Sequence, residues 1–315
     1  MTLDRRRLGK LLLSAALVPG TGLVAASGVH ASSRSILEAE LASGKVCGLK
    51  EAALRGTLDR LARARPPATG RAVVIDIPSQ HLAAYEDGRI KLESRVVVGD
   101  PSWRTPDLDT SVTFVRFNPT WTVPESILRA RSWRERLSTD PGYFERMRVD
   151  VEVGGRLVSA SSAAGEAGRA TRFVQRPGPG NALGRVKLGL AAGNAVYLHD
   201  TSDPEGFDED ARALSHGCVR VERAMDVAAW ALGMDPARAD DLLNADDRTE
   251  RHPATPVRVV TTYFTAWPDD YGRVRYYEDV YRLDPVPSRR CGDPVEDGDD
   301  LYRRGTRADA RGTGR

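Results

Sequence analysis

Residues 195–220 read AVYLHDTSDPEGFDEDARALSHGCVR, and the organisation of the whole chain works outward from them. A short apolar run, 195–198, delivers His199, followed by Asp200 and Thr201. An acidic loop containing Pro204 and Gly206 then leads to Ser215-His216-Gly217-Cys218-Val219-Arg220. A histidine and a cysteine nineteen positions apart, with turn formers between them, make the smallest workable unit of cysteine nucleophilic catalysis. The thiolate attacks and the imidazole manages the proton. Val221, Ala224, Met225, Ala228 and Leu232 fall at helical spacing and predict a helix beginning just past Cys218. Its dipole would lower the thiol pKa. Arg220 adds a second cationic influence and offers a contact for a substrate carboxylate. Gly217 permits a tight turn that leaves the amides near Cys218, with Ser215 beside them, free to form an oxyanion hole. The competing view is a buried structural Cys218 and a satisfied core His199; their clustering argues against it.

These residues carry a family resemblance. His199-Asp200-Thr201 followed by Ser-His-Gly-Cys-Val-Arg resembles the signature of the L,D-transpeptidases, the YkuD-type catalytic domain that remodels bacterial peptidoglycan. Residues 117–124, FNPTWTVP, resemble the N-P-x-W-x-V-P segment of the larger, lidded subgroup. Residues 177–187, PGPGNALGRVK, resemble its P-G-P-x-N-A-L-G-x-V-K segment. Four blocks in the family's order make the match specific.

The resemblance implies a mainly β fold with flanking helices: a YkuD-like β-sandwich over residues 69–283, with a capping (lid) subdomain inserted at about 126–176. It implies that Cys218, activated by His199, attacks the carbonyl after the third residue of a peptidoglycan tetrapeptide stem and releases D-alanine. An amine of a neighbouring stem would then resolve the thioester into a 3→3 cross-link. It also implies an imidazole oriented by a backbone carbonyl, which maps to Asp200, and acylation by carbapenem-type β-lactams. No cofactor and no metal is implied. His199, Asp200, His216 and Cys218 could assemble a mixed metal site, but no C-x-x-C or H-E-x-x-H spacing accompanies them. His216 is the competing candidate for base and is assigned a supporting role in the groove. Trp121 either lines the cleft or belongs to the core, and Asn181 either positions substrate or caps a turn. Lys187 reads as a solvated strand residue.

The same residues serve rival outcomes. Resolution by water gives an L,D-carboxypeptidase or peptidoglycan hydrolase, and resolution by a protein lysine attaches that protein to the wall. A non-catalytic wall-binding protein is the reading from a different class. Net charge is +2, from 46 basic and 44 acidic residues, too balanced for a nucleic-acid binder.

At the N-terminus, Arg5-Arg6-Arg7-Leu8-Gly9-Lys10 precedes an apolar stretch, 11–26, and Val29-His30-Ala31 fits a cleavage site. Residues 1–31 therefore read as a twin-arginine-like export signal, directing the chain to the periplasm or cell envelope, with an uncleaved anchor as the alternative. In an oxidising compartment three cysteines leave one thiol over. The expectation is that Cys47 and Cys291 pair while Cys218 stays reduced; two further free cysteines remain the alternative. Residues 32–68 read as a short helical segment, too small for a separate wall-binding module. Strands are expected from Arg71 onward, with a hairpin turn at Asp87-Gly88. Within the insertion, residues 127–137 read as helix, followed by Pro141-Gly142 and a polar Gly/Ala/Ser stretch. A helix past Cys218, a second at 235–243, and strands at 256–267 and 273–281 complete the expected sheet. Residues 284–315 are charged and poor in large apolar residues, hence expected to be disordered.

Overall fold

The computed structural model describes residues 26–62, 69–191, 196–244, 248–287 and 291. Residues 1–25 of the expected export signal and 292–315 of the expected tail lie outside them. Two helices come first, α1 (Ala26–Ala42) and α2 (Gly48–Leu61). Strands β1 (Arg71–Asp76), β2 (His81–Glu86), β3 (Arg89–Gly99) and β4 (Asp109–Phe117) follow, with the β2–β3 turn at Asp87-Gly88.

Residues 121–175 build a unit of their own. It comprises β5 (Trp121–Thr122), α3 (Glu125–Ala130), α4 (Trp133–Thr139), α5 (Pro141–Arg146), β6 (Val149–Val153), β7 (Arg156–Ser159), α6 (Ala160–Ala163) and β8 (Ala170–Gln175). The expected helix at 127–137 is two helices, broken at Ser132, whose φ of 47° is left-handed. The stretch after Pro141 is ordered into α5, α6 and three strands, which join β5 in a sheet of order β5-β8-β6-β7. Its core is separate from the main one and is built around Trp133, Phe144 and Phe173, with ring centroids 5.2 to 5.7 Å apart at edge-on or tilted angles.

The chain returns through β9 (Val186–Leu190), β10 (Tyr197–His199), β11 (Ala213–Ser215) and β12 (Val219–Val221). Helices α7 (Ala224–Leu232) and α8 (Pro236–Asn244) come next, then β13 (Thr249–Arg251), β14 (Val257–Thr262), β15 (Ala266–Pro268) and β16 (Val274–Tyr276). The main sheet runs β3-β12-β10-β9-β4-β14-β1-β2, and β2 pairs back onto β3, so these eight strands close on themselves. Strand β3 makes the closure: its residues 89–95 pair with β2, and Val96 and Val97 pair with β12. The two layers expected of a sandwich are thus continuous at their edges, which removes exposed edge strands from the core. Val73, Leu82, Val98, Leu188, Leu198 and Val219 fill the interior, with α7 packed against it through Val227 and Ala228.

Two expectations need correction here. Of the strands expected at 256–267 and 273–281 only β14 joins the main sheet; β15 and β16 form a separate hairpin that packs on α1 and α2 through Leu37, Leu54 and Ala266. The chain is also held beyond residue 283. Asp284 accepts hydrogen bonds from Arg60 (2.7 Å) and Thr265 (2.9 Å), and Cys291 is disulfide-bonded to Cys47 with a Cα–Cα distance of 5.4 Å. The pairing resolves the cysteine arithmetic and leaves Cys218 outside the disulfide. Among the described residues no helix is long and apolar enough to cross a membrane.

Candidate active site

Three neighbouring strands set the site. Across β9, β10 and β12 one row of the register is Leu188, Leu198 and Val219, and the next is Lys187, His199 and Arg220. Side chains alternate between the faces of a strand, so the first row fills the core and the second is presented together on the opposite face. Tyr197, two residues before His199, shares that face, with ring centroids 5.6 Å apart. Cys218 stands immediately before β12 and is hydrogen-bonded by both the amide and the hydroxyl of Tyr197. Lys187, Tyr197, His199, Cys218 and Arg220 therefore form one polar constellation on an otherwise apolar scaffold.

Nothing helical supports the thiol. Cys218 leads into β12, and α7 begins only at Ala224, so the expected helix dipole is not aimed at it. Burial pushes the Cys218 thiol above its usual range, while the Tyr197 hydrogen bonds and the Lys187 charge pull the other way. His199 is buried, which pushes its pKa down to about 3; the charges of Arg220 and Lys187 add to that, and the Asp200 carbonyl opposes it. At rest the thiol and the imidazole are thus both neutral. His199 Nδ1 lies 2.5 Å from the Asp200 backbone oxygen. A carbonyl only accepts, so Nδ1 carries the hydrogen and Nε2 keeps its lone pair as the basic nitrogen.

The Asp200 carboxylate works elsewhere. It accepts from the Arg185 amide at 2.7 Å and lies against Gly184, whose φ is 60°. A Cβ at position 184 would overlap that carboxylate, which explains a glycine inside the 181–187 motif and ties it to the His199-Asp200 strand. Gly184→Ala is expected to cost about 2 kcal/mol of stability or more, from overpacking and a strained φ. A thermal melt would read that loss, and Cys218 acylation should slow with it as His199 shifts.

Asn181 is 1% exposed and fully engaged with backbone: its Nδ2 donates to the carbonyls of Pro119 (3.2 Å) and Arg176 (2.9 Å), and its Oδ1 accepts from the Leu183 amide (2.8 Å). Of its two expected roles this is the turn cap and not the substrate contact, and the same side chain ties the Pro119 and Leu183 segments together. Gly217 has φ 101°, a conformation suited to glycine, but its amide donates to Ser215 Oγ at 3.1 Å and is not the free oxyanion donor expected. Ser215 Oγ in turn donates to the Cys218 carbonyl at 2.5 Å, so both residues shape the turn that presents Cys218.

His216 is exposed beside Trp103, at 5.4 Å between centroids, with its pKa lowered by partial burial and by the charges of Arg131 and Arg220. Arg220 is loosely paired with Asp203 at 3.6 Å and lines the same face as Cys218. Trp121 reaches both ways: it packs edge-on to Trp133 in the inserted unit (6.3 Å) and hydrogen-bonds Tyr197. Tyr197 was missed by sequence reasoning, although its position two residues before His199 on a strand was the signal. Lys187, read as a solvated strand residue, instead holds its ammonium 3.7 Å from the centre of the Tyr197 ring.

Comparison with known proteins follows from this geometry. Residues 70–259 match the profile of YkuD, the L,D-transpeptidase catalytic domain. A curated protein of Haemophilus influenzae, named provisionally as an L,D-transpeptidase, is 31% identical over 218 residues, which is 67% of this chain. The chain spans 44% of that relative's length. Among solved structures, the catalytic domain of the Enterococcus faecium L,D-transpeptidase acylated by ertapenem is 14% identical, with a TM-score of 0.30 over 62% of this chain and 99% of that one. Mycobacterium tuberculosis L,D-transpeptidase 3 with a faropenem-derived adduct is 12% identical, with a TM-score of 0.30 over 61% of this chain and 60% of that one. These structural scores are low, and the kinship rests on the profile.

Proposed function

Because the chain belongs to the YkuD family of L,D-transpeptidase catalytic domains, we propose that it is a cysteine-dependent acyltransferase that forms 3→3 cross-links in peptidoglycan. The observation that carries this reading is the His199 imidazole, locked by the Asp200 carbonyl with Nε2 as its base, on the same sheet face as the Cys218 thiol. As Cys218 Sγ attacks the carbonyl of the third stem residue, its proton passes to His199 Nε2. The tetrahedral intermediate collapses to a thioester, and the amine of D-alanine leaves carrying the proton from His199. A stem amine then repeats the sequence in reverse, with His199 taking its proton, and the thioester becomes an amide while Cys218 regains its hydrogen.

A neutral starting pair suits this order of events, because charge develops only as the bond forms. Arg220 is the group we assign to a carboxylate of the stem, and the inserted unit at 121–175 is assigned as the cover over the groove, with Trp121 as its link to Tyr197. Family membership also supports acylation of Cys218 by carbapenem-type β-lactams, and the arginine-rich, apolar start of the chain supports action in the cell envelope.

The test supplies a disaccharide tetrapeptide as donor, with and without a second stem as acceptor, and analyses products and protein by mass. A dimer lacking one D-alanine supports transpeptidation. Tripeptide as the only product moves the reading to an L,D-carboxypeptidase, and neither product would overturn it.

A further inference from the structure

The backbone that presents Cys218 is gripped from behind by a hydrogen-bonded chain that starts at Thr105, inside the matched catalytic segment, and runs on to residues beyond it. The Thr105 hydroxyl donates to the Gly217 carbonyl at 3.0 Å and accepts from the Gly99 amide at 2.9 Å. The Tyr281 hydroxyl donates to the Gly99 carbonyl at 2.8 Å and accepts from the Thr105 amide at 3.0 Å. The Tyr263 hydroxyl donates to Asp279 Oδ1 at 2.7 Å and accepts from the Tyr281 amide at 2.7 Å. Every hydroxyl in this series is used both as donor and as acceptor, and Thr105, Tyr263 and Tyr281 are each buried. Such a chain has a single satisfied arrangement, so it fixes the groups at its ends.

One end is the nucleophile's own peptide, since the Gly217 carbonyl belongs to the bond that carries the Cys218 amide. The other end is anchored in the N-terminal helices. Arg60 of α2 donates to the Tyr263 carbonyl at 2.8 Å and to Asp284 at 2.7 Å, and the Cys47–Cys291 disulfide ties the same helix to the tail. Tyr263, Asp279 and Tyr281 all lie beyond residue 259, where the family match stops.

We propose that Thr105 and Tyr281 are positioning residues for the nucleophile, holding the Gly217–Cys218 peptide in the orientation that acyl transfer requires. The proposal rests on the reading that Cys218 is acylated, but not on which acyl donor serves in the cell. Acylation builds negative charge on a carbonyl oxygen that must meet fixed donors, whereas alkylation of a thiol needs only an accessible thiolate. Loosening the peptide should therefore separate the two reactions.

The experiment uses the full chain and two small reagents. With 4-nitrophenyl acetate, Cys218 Sγ bonds to the acetyl carbon and 4-nitrophenolate leaves, giving an acetyl thioester; the Cys218→Ala rate is subtracted as background. With iodoacetamide, Sγ displaces iodide. Tyr281→Phe keeps the ring stacked on Tyr263 (5.7 Å between centroids) and removes only the hydroxyl; Thr105→Val keeps the shape and removes the hydroxyl. Each should slow acylation by roughly tenfold to a hundredfold while alkylation stays within about threefold. Thr105→Ser, which restores the hydroxyl, should recover most of the loss. The double variant should be no slower than the slower single one, because the two hydroxyls act in one chain.

If Tyr281→Phe does not fold, Thr105→Val and Thr105→Ser decide the matter alone. Acylation and alkylation falling together, or neither changing in folded protein, would overturn the proposal. Normal acylation by 4-nitrophenyl acetate without turnover of any stem would instead count against the peptidoglycan reading and leave the positioning result intact.

Discussion

Cys218→Ala should abolish acyl transfer, lowering it by roughly six orders of magnitude to the background left by binding alone. Among the described residues the nearest candidate replacements are already engaged. Cys47 and Cys291 are joined to each other, and Ser215 Oγ is held between the Gly217 amide and the Cys218 carbonyl. The loss should be chemical and not structural: the substitution removes one partly buried sulfur, and with it the acceptor of the Tyr197 hydrogen bonds, but leaves the bonds among Ser215, the Gly217 amide and the Cys218 carbonyl in place. Its thermal midpoint should lie within a few degrees of the wild type, consistent with a cost of about 1 kcal/mol. Kinetics and a melt on the same preparation separate the two. Residual turnover near the wild-type rate would assign the nucleophile elsewhere.

His199→Gln should slow acylation by about a hundredfold to ten-thousandfold, the range for removing a general base. Its pH dependence is the sharper readout. With His199 pushed down to about 3 by burial, the imidazole remains neutral through the range in which an ordinary histidine would protonate. The wild-type acylation rate should therefore show no acid limb near pH 6.5, the usual histidine value, and should hold into the mildly acidic range. At the alkaline end the burial-raised thiol keeps the resting Cys218 protonated, so the rate should not rise through a limb near pH 8. His199→Gln, lacking an internal base, should instead track free thiolate and increase with pH. The stability consequence has a fixed sign. The folded pKa lies below the unfolded one, so the unfolded chain binds the extra proton between about pH 6.5 and 3. The stability associated with a neutral His199 is complete above pH 6.5 and is lost as pH falls through that window.

Cys218 and His199 were legible as a candidate pair because the pattern is written locally: a Ser-His-Gly-Cys-Val-Arg run and a short apolar run leading to His-Asp. The hairpin at Asp87-Gly88 was readable for the same reason, since turn chemistry is set by adjacent residues. What failed depended on partners distant in sequence. Val221, Ala224, Ala228 and Leu232 do fall on a helical period, yet Val219–Val221 pairs with β3 and β10 and becomes a strand, which removed the expected helix dipole from Cys218. Within the inserted unit the alternating valines of VDVEV and RLVS were passed over beside the Gly/Ala/Ser residues that form α6 and the turn after it, and pairing makes them β6 and β7.

Side-chain roles were harder than element types. Asn181 and Asp200 sit in motifs beside the site, but their polar atoms are committed to the backbone of Pro119, Arg176, Leu183 and Arg185. Each motif here is partly a record of how two loops are tied together. Conversely Thr105 and Tyr281 carry no motif signal, because what they do becomes visible only when three separate stretches of chain meet behind Cys218.

The central claim is that Cys218 forms an acyl-enzyme with a peptidoglycan stem and passes it to an amine. Intact-protein mass analysis during turnover of a disaccharide tetrapeptide tests it most directly. The account predicts a mass increase equal to the stem less D-alanine, carried by Cys218 and absent in Cys218→Ala, which a second stem discharges into a cross-linked dimer. A folded wild-type protein that forms no such adduct and releases no D-alanine would contradict it.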